Sequence, residues 1–350
     1  MIREFAKHLS LAETPVFVNG GIEFGICARR RCFPTNIHRI PPLSDAQQAP
    51  HAPHDIADII KWPKDTPLPL WVKQVYKEDR LAAIYSKMLE NWAGLSRDLA
   101  EPLRRHDGES MAFSKGYDQN DTEDRRRMNE IKRYSLMPHK DTGLPRVLTT
   151  AECERVMGFD PGHLSGFGNA ECSQNNARKW IGESFLVPQV THILRGLRAM
   201  QLAGEFARTN ITVVSLFGGI GADALALSRA GIEGIRHIVY VEIDQMKADV
   251  AKWAWKRYYG EATFYAYVMS IEILQNAVFE EAVQMANDVV VIAGSPCNNI
   301  SRLNRRSRAA GFEGEKSSLF YEIPRILMAM VTAAMSRSAG EAAAVPAPLG

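Results

Sequence analysis

Charge imbalance is the first thing this sequence lacks. Its 42 Lys and Arg against 40 Asp and Glu leave a net charge of +2, so overall basicity announces no nucleic-acid partner, and any basic surface must be local. Cysteine is scarce. Five residues, an odd number scattered along the chain, form no secreted disulfide framework and point to a reducing compartment. Cys27 and Cys32 have no downstream Cys/His pair at zinc-site spacing, so no metal site is read. No apolar run approaches the length of a membrane span, and the start, with Glu4 and no long apolar core, is no signal peptide. No membrane partner is expected. What is present, 46% hydrophobic and 23% charged residues over 350 positions, suffices for one large globular domain or two ordinary ones.

The most informative stretch is Ala293-Gly294-Ser295-Pro296-Cys297-Asn298-Asn299. It follows the apolar run Val289-Val290-Val291-Ile292-Ala293, which reads as a strand buried on both faces of a parallel sheet. Gly-Ser-Pro breaks that strand. Open α/β sheets carry their chemistry at the carboxyl ends of strands, so Cys297 stands where a nucleophile would. Taken alone, the pattern equally fits a buried loop cysteine.

Upstream, Val213-Val214-Ser215-Leu216-Phe217-Gly218-Gly219-Ile220-Gly221-Ala222-Asp223 reads as a strand, a glycine-rich turn and a helix continuing through Leu225, Leu227 and Ala230. Glycine lets backbone approach a ligand, and a helix N-terminus favours an anionic group, which suits a nucleotide-like cofactor. Such a turn also serves ordinary strand–helix packing. A second strand, His237-Ile238-Val239-Tyr240-Val241, ends in Glu242, at the distance expected of an acid that accepts ribose hydroxyls. The pair favours the cofactor reading.

No internal repeat is found. Residues 3–9 read as helix, and 15–18 and 22–27 as strands flanking Asn19-Gly20-Gly21. Residues 41–146 are loop-rich, with a helix expected over 79–93 and a polar stretch over 120–132 that holds Arg125-Arg126-Arg127. Such a charge run ordinarily forms a solvated helix face; here phosphate contact is favoured. Residues 151–159 read as a short helix ended by Gly158, and 182–188 open a helix to about Ala203, with Pro188 in its first turn. The α/β half begins after Asn210. From 331 onward, and most plainly from 336, where Ala, Pro and Gly dominate, a disordered tail is expected.

Taken together, these residues resemble the cytosine-5 DNA methyltransferases, most closely the plant domains-rearranged methyltransferases and next the animal de novo enzymes. Phe217-Gly218-Gly219-Ile220-Gly221 is similar to the family's S-adenosylmethionine loop, Glu242 falls on its ribose-binding acid, and Ser295-Pro296-Cys297-Asn298-Asn299 on its catalytic loop. Glu315-Lys316-Ser317-Ser318-Leu319-Phe320 is close to the plant pattern. Cys27-Ala28-Arg29-Arg30-Arg31 resembles the Arg-x-Arg strand, and Gly182-Glu183-Ser184-Phe185 with Val187-Pro188 the motif that closes over the cofactor. The Arg-x-Arg strand, recognition lobe and Gly-x-Ser helix precede the cofactor motif here, which is the circular permutation of the plant type.

The resemblance implies an α/β, Rossmann-like methyltransferase sheet, circularly permuted, with an inserted target-recognition lobe. Residues 1–40 and 147–205 would form the permuted C-terminal half, 41–146 the recognition lobe, and 206–330 the cofactor and catalytic-loop half. It further implies methyl transfer from S-adenosylmethionine to C5 of a flipped cytosine in DNA, of de novo type, through a covalent Cys297 adduct. Arg29 and Arg31 would hold the ring and the loop, or serve only as structural ion pairs. Phe217, Gly219, Ile220, Gly221, Glu242, Ile243, Ser270, Pro296, Ser184 and Phe185 would line the cofactor site. Asn299, Arg302, Arg305, Arg308, Lys316 and Arg126 would contact DNA. A homodimer or a paralogous methyltransferase is the expected protein partner, and the nucleus the expected location.

Two departures stand out. The family's Glu-Asn-Val motif, whose glutamate acts at cytosine N3, is not found; Glu90-Asn91-Trp92 is a poor substitute. In the permuted order that motif lies just before residue 1, on a strand beside the Cys297 strand, so the chain is read as lacking upstream sequence or as a degenerate copy, the intact cysteine loop favouring the first. At Met269-Ser270-Ile271-Glu272 the family usually has an acid near Ser270 that accepts a bond from the adenine amine; serine bonds more weakly, and Glu272 approaches from another angle. The alternative function is a catalytically impaired regulatory paralogue that binds DNA or a partner methyltransferase. An RNA cytosine methyltransferase fits the permuted order less well, and a generic oxidoreductase gives Cys297 no role.

Overall fold

The computed structural model describes residues 17–19, 31–33, 35–42, 137–138, 145–146, 150–164, 174–296, 314 and 317–344. The chain divides into two units, one of 18–32 and 42–190, the other of 1–17, 33–41 and 191–350.

Short strands open the described chain. β1 (Phe17–Asn19) pairs with β2 (Arg31–Phe33). Sequence read 15–18 and 22–27 as strands flanking the Asn19-Gly20-Gly21 turn; β1 runs one residue into that turn, and 22–27 lies outside the described residues. β3 (Met137–Pro138) and β4 (Pro145–Arg146) form an antiparallel pair. The helices expected at 3–9 and 79–93 and the polar stretch at 120–132 also lie outside them.

In the first unit, α1 (Thr150–Val156) closes at Gly158 as its sequence indicated. Its buried Glu154 accepts bonds from the amides of Gly162 at 2.9 Å and Leu164 at 2.7 Å, so the buried carboxylate organises the loop that follows. Next comes α2 (Gln174–Glu183), which places Ala177, Trp180 and Ile181 on a buried face. The Gly182-Glu183 pair, read as opening a helix, ends this one instead, and α3 (Val187–Leu202) starts afterwards. Pro188 is its second residue, where a missing N–H costs nothing. Its ring occupies the space a side chain would need at Gly158, where a Cβ would stand 2.3 Å from Pro188 Cδ.

The second unit is built on a parallel sheet. Its elements are β5 (Ile211–Leu216), α4 (Ala222–Ala230), β6 (Ile235–Glu242), α5 (Gln245–Tyr258), β7 (Thr263–Val268), α6 (Asn276–Gln284), β8 (Asp288–Ala293) and α7 (Glu322–Ala344). The strand order is β7-β6-β5-β8, all parallel. This is the α/β, Rossmann-like sheet that the alternation of apolar runs and helices predicts. Val214, Leu216, Val239 and Val241 form one face and pack against Phe279, Val283, Ile326 and Met330 of α6 and α7. Strand alternation sends Val213, Ser215, Ile238 and Tyr240 to the other face, toward α4. Residues 35–40 belong to this unit: Ile37 and the backbone at 39–40 press on Gly196, and Arg39 and His38 bond the Glu205 carboxylate. The bond from Arg39 holds Glu205 down at about 2.

Two expectations are corrected here. β8 is not buried on both faces, since only Val290 of 289–293 is buried and the strand has one neighbour, β5, among the described residues. Nor does a disordered tail begin at 331, because α7 runs to Ala344. Alanine and methionine are strong helix formers, no proline falls between 331 and Pro346, and α7 is tied to α6. Arg337 Nη1 donates to the carbonyls of Val283 at 2.8 Å and Ala286 at 2.6 Å, and Arg325 Nη2 to that of Ile271 at 3.2 Å. By length and a mean hydropathy of 1.2, Ser318–Ala339 also suffices to cross a membrane. Reading apolar runs missed this, because Glu322, Pro324, Arg325 and Arg337 interrupt the stretch. Ile326 and Met330 nonetheless lie in the core of the sheet unit.

Candidate cofactor and catalytic site

Four strand ends build the site. At the end of β5 the backbone turns sharply: Phe217, Gly219 and Gly221 all have positive φ, at 57°, 58° and 72°. For Phe217 this is costly and is held by its surroundings. Gly221 is the N-cap of α4, and a Cβ there would stand 3.0 Å from Ala251 Cα, so the glycine lets α4 approach α5. Gly218 needs its lack of a side chain most: a Cβ there would stand 2.2 Å from Tyr240 Cε2 and 2.6 Å from Ser215 Oγ.

The loop is fastened to β6 at three points. Gly218 N donates to Val241 O at 3.1 Å, Gly219 N to Glu242 Oε2 at 3.0 Å, and the Tyr240 hydroxyl to Gly219 O at 2.5 Å. Burial keeps Tyr240 a phenol by pushing its pKa far up, with Glu242 and Asp223 adding to the effect. Glu242 Oε1 also accepts from the amides of Ile243 at 3.0 Å and Asp244 at 3.2 Å. The acid read from sequence is therefore oriented before any ligand arrives. Sequence reading placed Gly218 in the loop but missed Tyr240 as a loop determinant; the only signal was a tyrosine two residues before the acid in an apolar strand.

Beneath the loop lies Asp223, 2% exposed. Burial lifts its pKa from the ordinary 3.8 to about 6, against the pull of the Ser215 hydroxyl and of backbone amides.

Further along the strand ends, Ile243 is 71% exposed, and Ser270 Oγ donates to Glu272 Oε2 at 3.1 Å. β8 leads to the cysteine loop. Its ladder with β5 extends one step past the strand, Gly294 N donating to Leu216 O at 3.3 Å. The chain therefore leaves β8 beside the start of the glycine loop. Pro296 is half-buried, the last described residue before Cys297.

Phe217, Gly219, Ile220, Gly221, Glu242, Ile243, Ser270 and Pro296 thus lie at the carboxyl ends of one parallel sheet, where α/β folds bind ligands. Ser184 and Phe185 lie in the link between α2 and α3, in the other unit. Cys297, Arg29, Asn299, Arg302, Arg305, Arg308, Lys316 and Arg126 lie outside the described residues; Arg31 is in β2, with only its backbone described.

Residues 211–335, from the first strand of this sheet into α7, match the family C-5 cytosine-specific DNA methylase. This chain is a relative of the cytosine-5 DNA methyltransferases. It is 34% identical over 204 residues to the DNA (cytosine-5)-methyltransferase DRM2 of Arabidopsis thaliana, covering 57% of this chain and 30% of that protein. With the Arabidopsis DRM1 it is 28% identical over 317 residues, 90% of this chain and 46% of the relative. With DRM2 of Oryza sativa subsp. japonica it is 32% identical over 177 residues, 50% of this chain and 27% of that one. The chain thus spans less than half the length of these methyltransferases. A match of 317 residues takes in sequence on both sides of Asn210.

Proposed function

We propose that this chain is the catalytic part of a DNA (cytosine-5)-methyltransferase of the plant de novo type, with S-adenosylmethionine as methyl donor and DNA as substrate. One observation carries the reading: the stem of the Ser-Pro-Cys loop and the glycine loop leave neighbouring strands side by side, at Gly294 and Leu216, within the segment that matches the family.

The residues present fit the cofactor. The glycine loop offers close backbone approach, and the fixed Glu242 carboxylate can accept ribose hydroxyls. Ile243 offers an apolar face to a base. When bound, S-adenosylmethionine supplies an electrophilic methyl group. The chain's part is nucleophilic. The Cys297 thiolate adds to cytosine C6, the C5=C6 pair moves to C5, and C5 becomes able to take the methyl group. Loss of the C5 proton and departure of the thiolate restore the ring. An unperturbed thiol titrates at about 8.5, so neighbouring positive charge would favour the thiolate, and Arg29 and Arg31 would hold the base and the catalytic loop. Asn299, Arg302, Arg305, Arg308, Lys316 and Arg126 would contact the DNA, whose target base must leave the stack. Ser184 and Phe185 would close over the cofactor. Residues 1–40 and 147–205 would complete the permuted half, and 41–146 the recognition lobe. Nuclear residence follows from such a substrate, and a second methyltransferase chain is the protein partner proposed.

A duplex carrying 5-fluorocytosine tests the reading, because fluorine at C5 blocks the final elimination and leaves the adduct in place. A denaturation-resistant protein–DNA complex that needs the cofactor and disappears in Cys297→Ala is expected. DNA binding without any adduct would instead favour the regulatory paralogue, for which the missing Glu-Asn-Val motif and Ser270 speak.

A further inference from the structure

We infer that the outer face of α5, together with Arg236, binds single-stranded nucleic acid at the end of the sheet away from the strand-end site. The inference goes beyond the methyl-transfer reading and does not depend on it. α5 runs back from its N-cap Asp244, just past the carboxyl end of β6, packed beside α4. A helix of 14 residues spans about 21 Å, so its last two turns lie well away from Glu242. Those turns carry Lys252, Lys256 and Arg257, all exposed, with the half-buried Trp253 and Tyr258. Arg236, the second residue of β6, is exposed too, and alternation puts it on the same face of the sheet as Ile238 and Tyr240. It stands at the amino end of its strand, the end to which α5 returns before β7 begins.

The charge there is not compensated. Arg39, Arg198, Arg208 and Arg325 are each paired with a carboxylate. Arg236, Lys252, Lys256 and Arg257 are paired with none among the described residues. Asp249 and Glu261 are the acids of the stretch, and the first, a turn nearer the site, accepts from Gln245 Nε2 at 2.9 Å. Basic residues in a last helical turn ordinarily complement the helix dipole, which accounts for Lys256. It does not account for Lys252, a turn earlier, for Arg236 on a strand, or for the pose of Arg257. The guanidinium carbon of Arg257 stands 5.3 Å from the centre of the Trp253 ring and 5.6 Å from that of Tyr258, so aromatic rings hold it.

Positive charge that no carboxylate answers attracts a polyanion, and lysines contact phosphates without regard to sequence. A planar arginine already fixed against aromatic rings adds a platform on which an unstacked base can lie. A duplex keeps its bases stacked inside and could use the charges alone, so the combination favours a single strand.

The test is fluorescence anisotropy of the whole chain with labelled oligothymidylate, and with oligouridylate in a parallel arm that tells a DNA ligand from an RNA one. The native chain should bind at least one of them, less tightly as salt rises. Lys252→Glu combined with Lys256→Glu should weaken that binding by about tenfold or more. Arg257→Lys, which keeps the charge and loses the plane, should weaken it by about fivefold. All three positions are exposed, and glutamate and lysine form helix about as well as the residues they replace, so the fold is kept. Binding of a duplex of the same length should be unchanged in these variants. No binding of either strand by the native chain, undiminished binding by the double variant or by Arg257→Lys, or an equal loss of duplex binding would overturn the inference. The 5-fluorocytosine adduct reads the methyl-transfer proposal separately, so the failure of one is distinguishable from the failure of the other.

Discussion

The Gly294 amide donates to the Leu216 carbonyl, 3.3 Å away, and this bond sets the ends of β5 and β8 side by side. Leu216 is the last residue of β5, after which the glycine loop begins; Gly294 is the first residue beyond β8, after which the cysteine loop begins. A methyl donor on one loop and a nucleophile on the other would then act on one base. Gly294 has open space around the site of a Cβ, so Gly294→Ala should leave the fold intact. Gly294→Pro removes the donor and should lower methyl transfer at least tenfold, with little change in cofactor affinity, as read by single-turnover assay and calorimetry.

The cofactor loop has no room at Gly218. In Gly218→Ala the new Cβ meets Tyr240 and Ser215, so the loop must shift from its fastening to Glu242. A stability loss of about 1–3 kcal/mol by denaturant titration and a loss of cofactor binding are expected. Tyr240→Phe, which removes only the bond to Gly219 O, should cost about 1 kcal/mol and weaken binding less.

Asp223 makes stability depend on pH. Its folded-state pKa, about 6, lies above the ordinary 3.8, so the folded chain holds this proton more tightly than the unfolded chain. This contribution to stability therefore falls as pH rises from about 4 to about 6, and above that range the full penalty of a buried carboxylate remains. Asp223→Asn should stabilise the fold by about 2–3 kcal/mol at pH 8 and by nothing near pH 3. Urea denaturation at the two pH values measures it; equal gains at both would remove the burial explanation.

Arg337 makes α7 part of the domain. Arg337→Ala leaves the carbonyls of Val283 and Ala286 without its donor and should destabilise the fold by about 1–3 kcal/mol. Ser338→Ala, at an exposed position one residue on, should change stability by less than about 0.5 kcal/mol. Thermal denaturation of the two variants side by side distinguishes an integral helix from a tail.

Elements that declare themselves locally were legible in sequence. The glycine loop needs its glycines, the acid ends a strand of Val and Ile type, and Gly158 and Pro188 mark helix ends that meet in the fold. Elements settled by distant contacts were not. β1 runs one residue into the turn read at Asn19 and pairs with β2. The buried face of α2, Ala177, Trp180 and Ile181, is set among Gln, Asn, Arg and Lys, and no helix is read there from sequence. The end of α7, from 331, looked like a disordered tail because nothing in its own sequence reveals that Arg337 reaches the carbonyl of Val283 in α6. β8, five apolar residues in a row, looked doubly buried, yet burial depends on neighbours in the sheet rather than on the run itself. Within the site, Glu242 was evident, while the turn of Glu272 toward Ser270 depends on a hydroxyl rotamer that no spacing encodes.

The measurement that tests the central claim most directly is transfer of labelled methyl groups from S-adenosylmethionine to duplex DNA, with Cys297→Ala as control. It should be run on this chain and on one extended upstream through any Glu-Asn-Val segment that the gene encodes. The account predicts label in 5-methylcytosine, strongest with the extended chain and lost in Cys297→Ala. DNA binding without label from either chain, or label that survives Cys297→Ala, would contradict it.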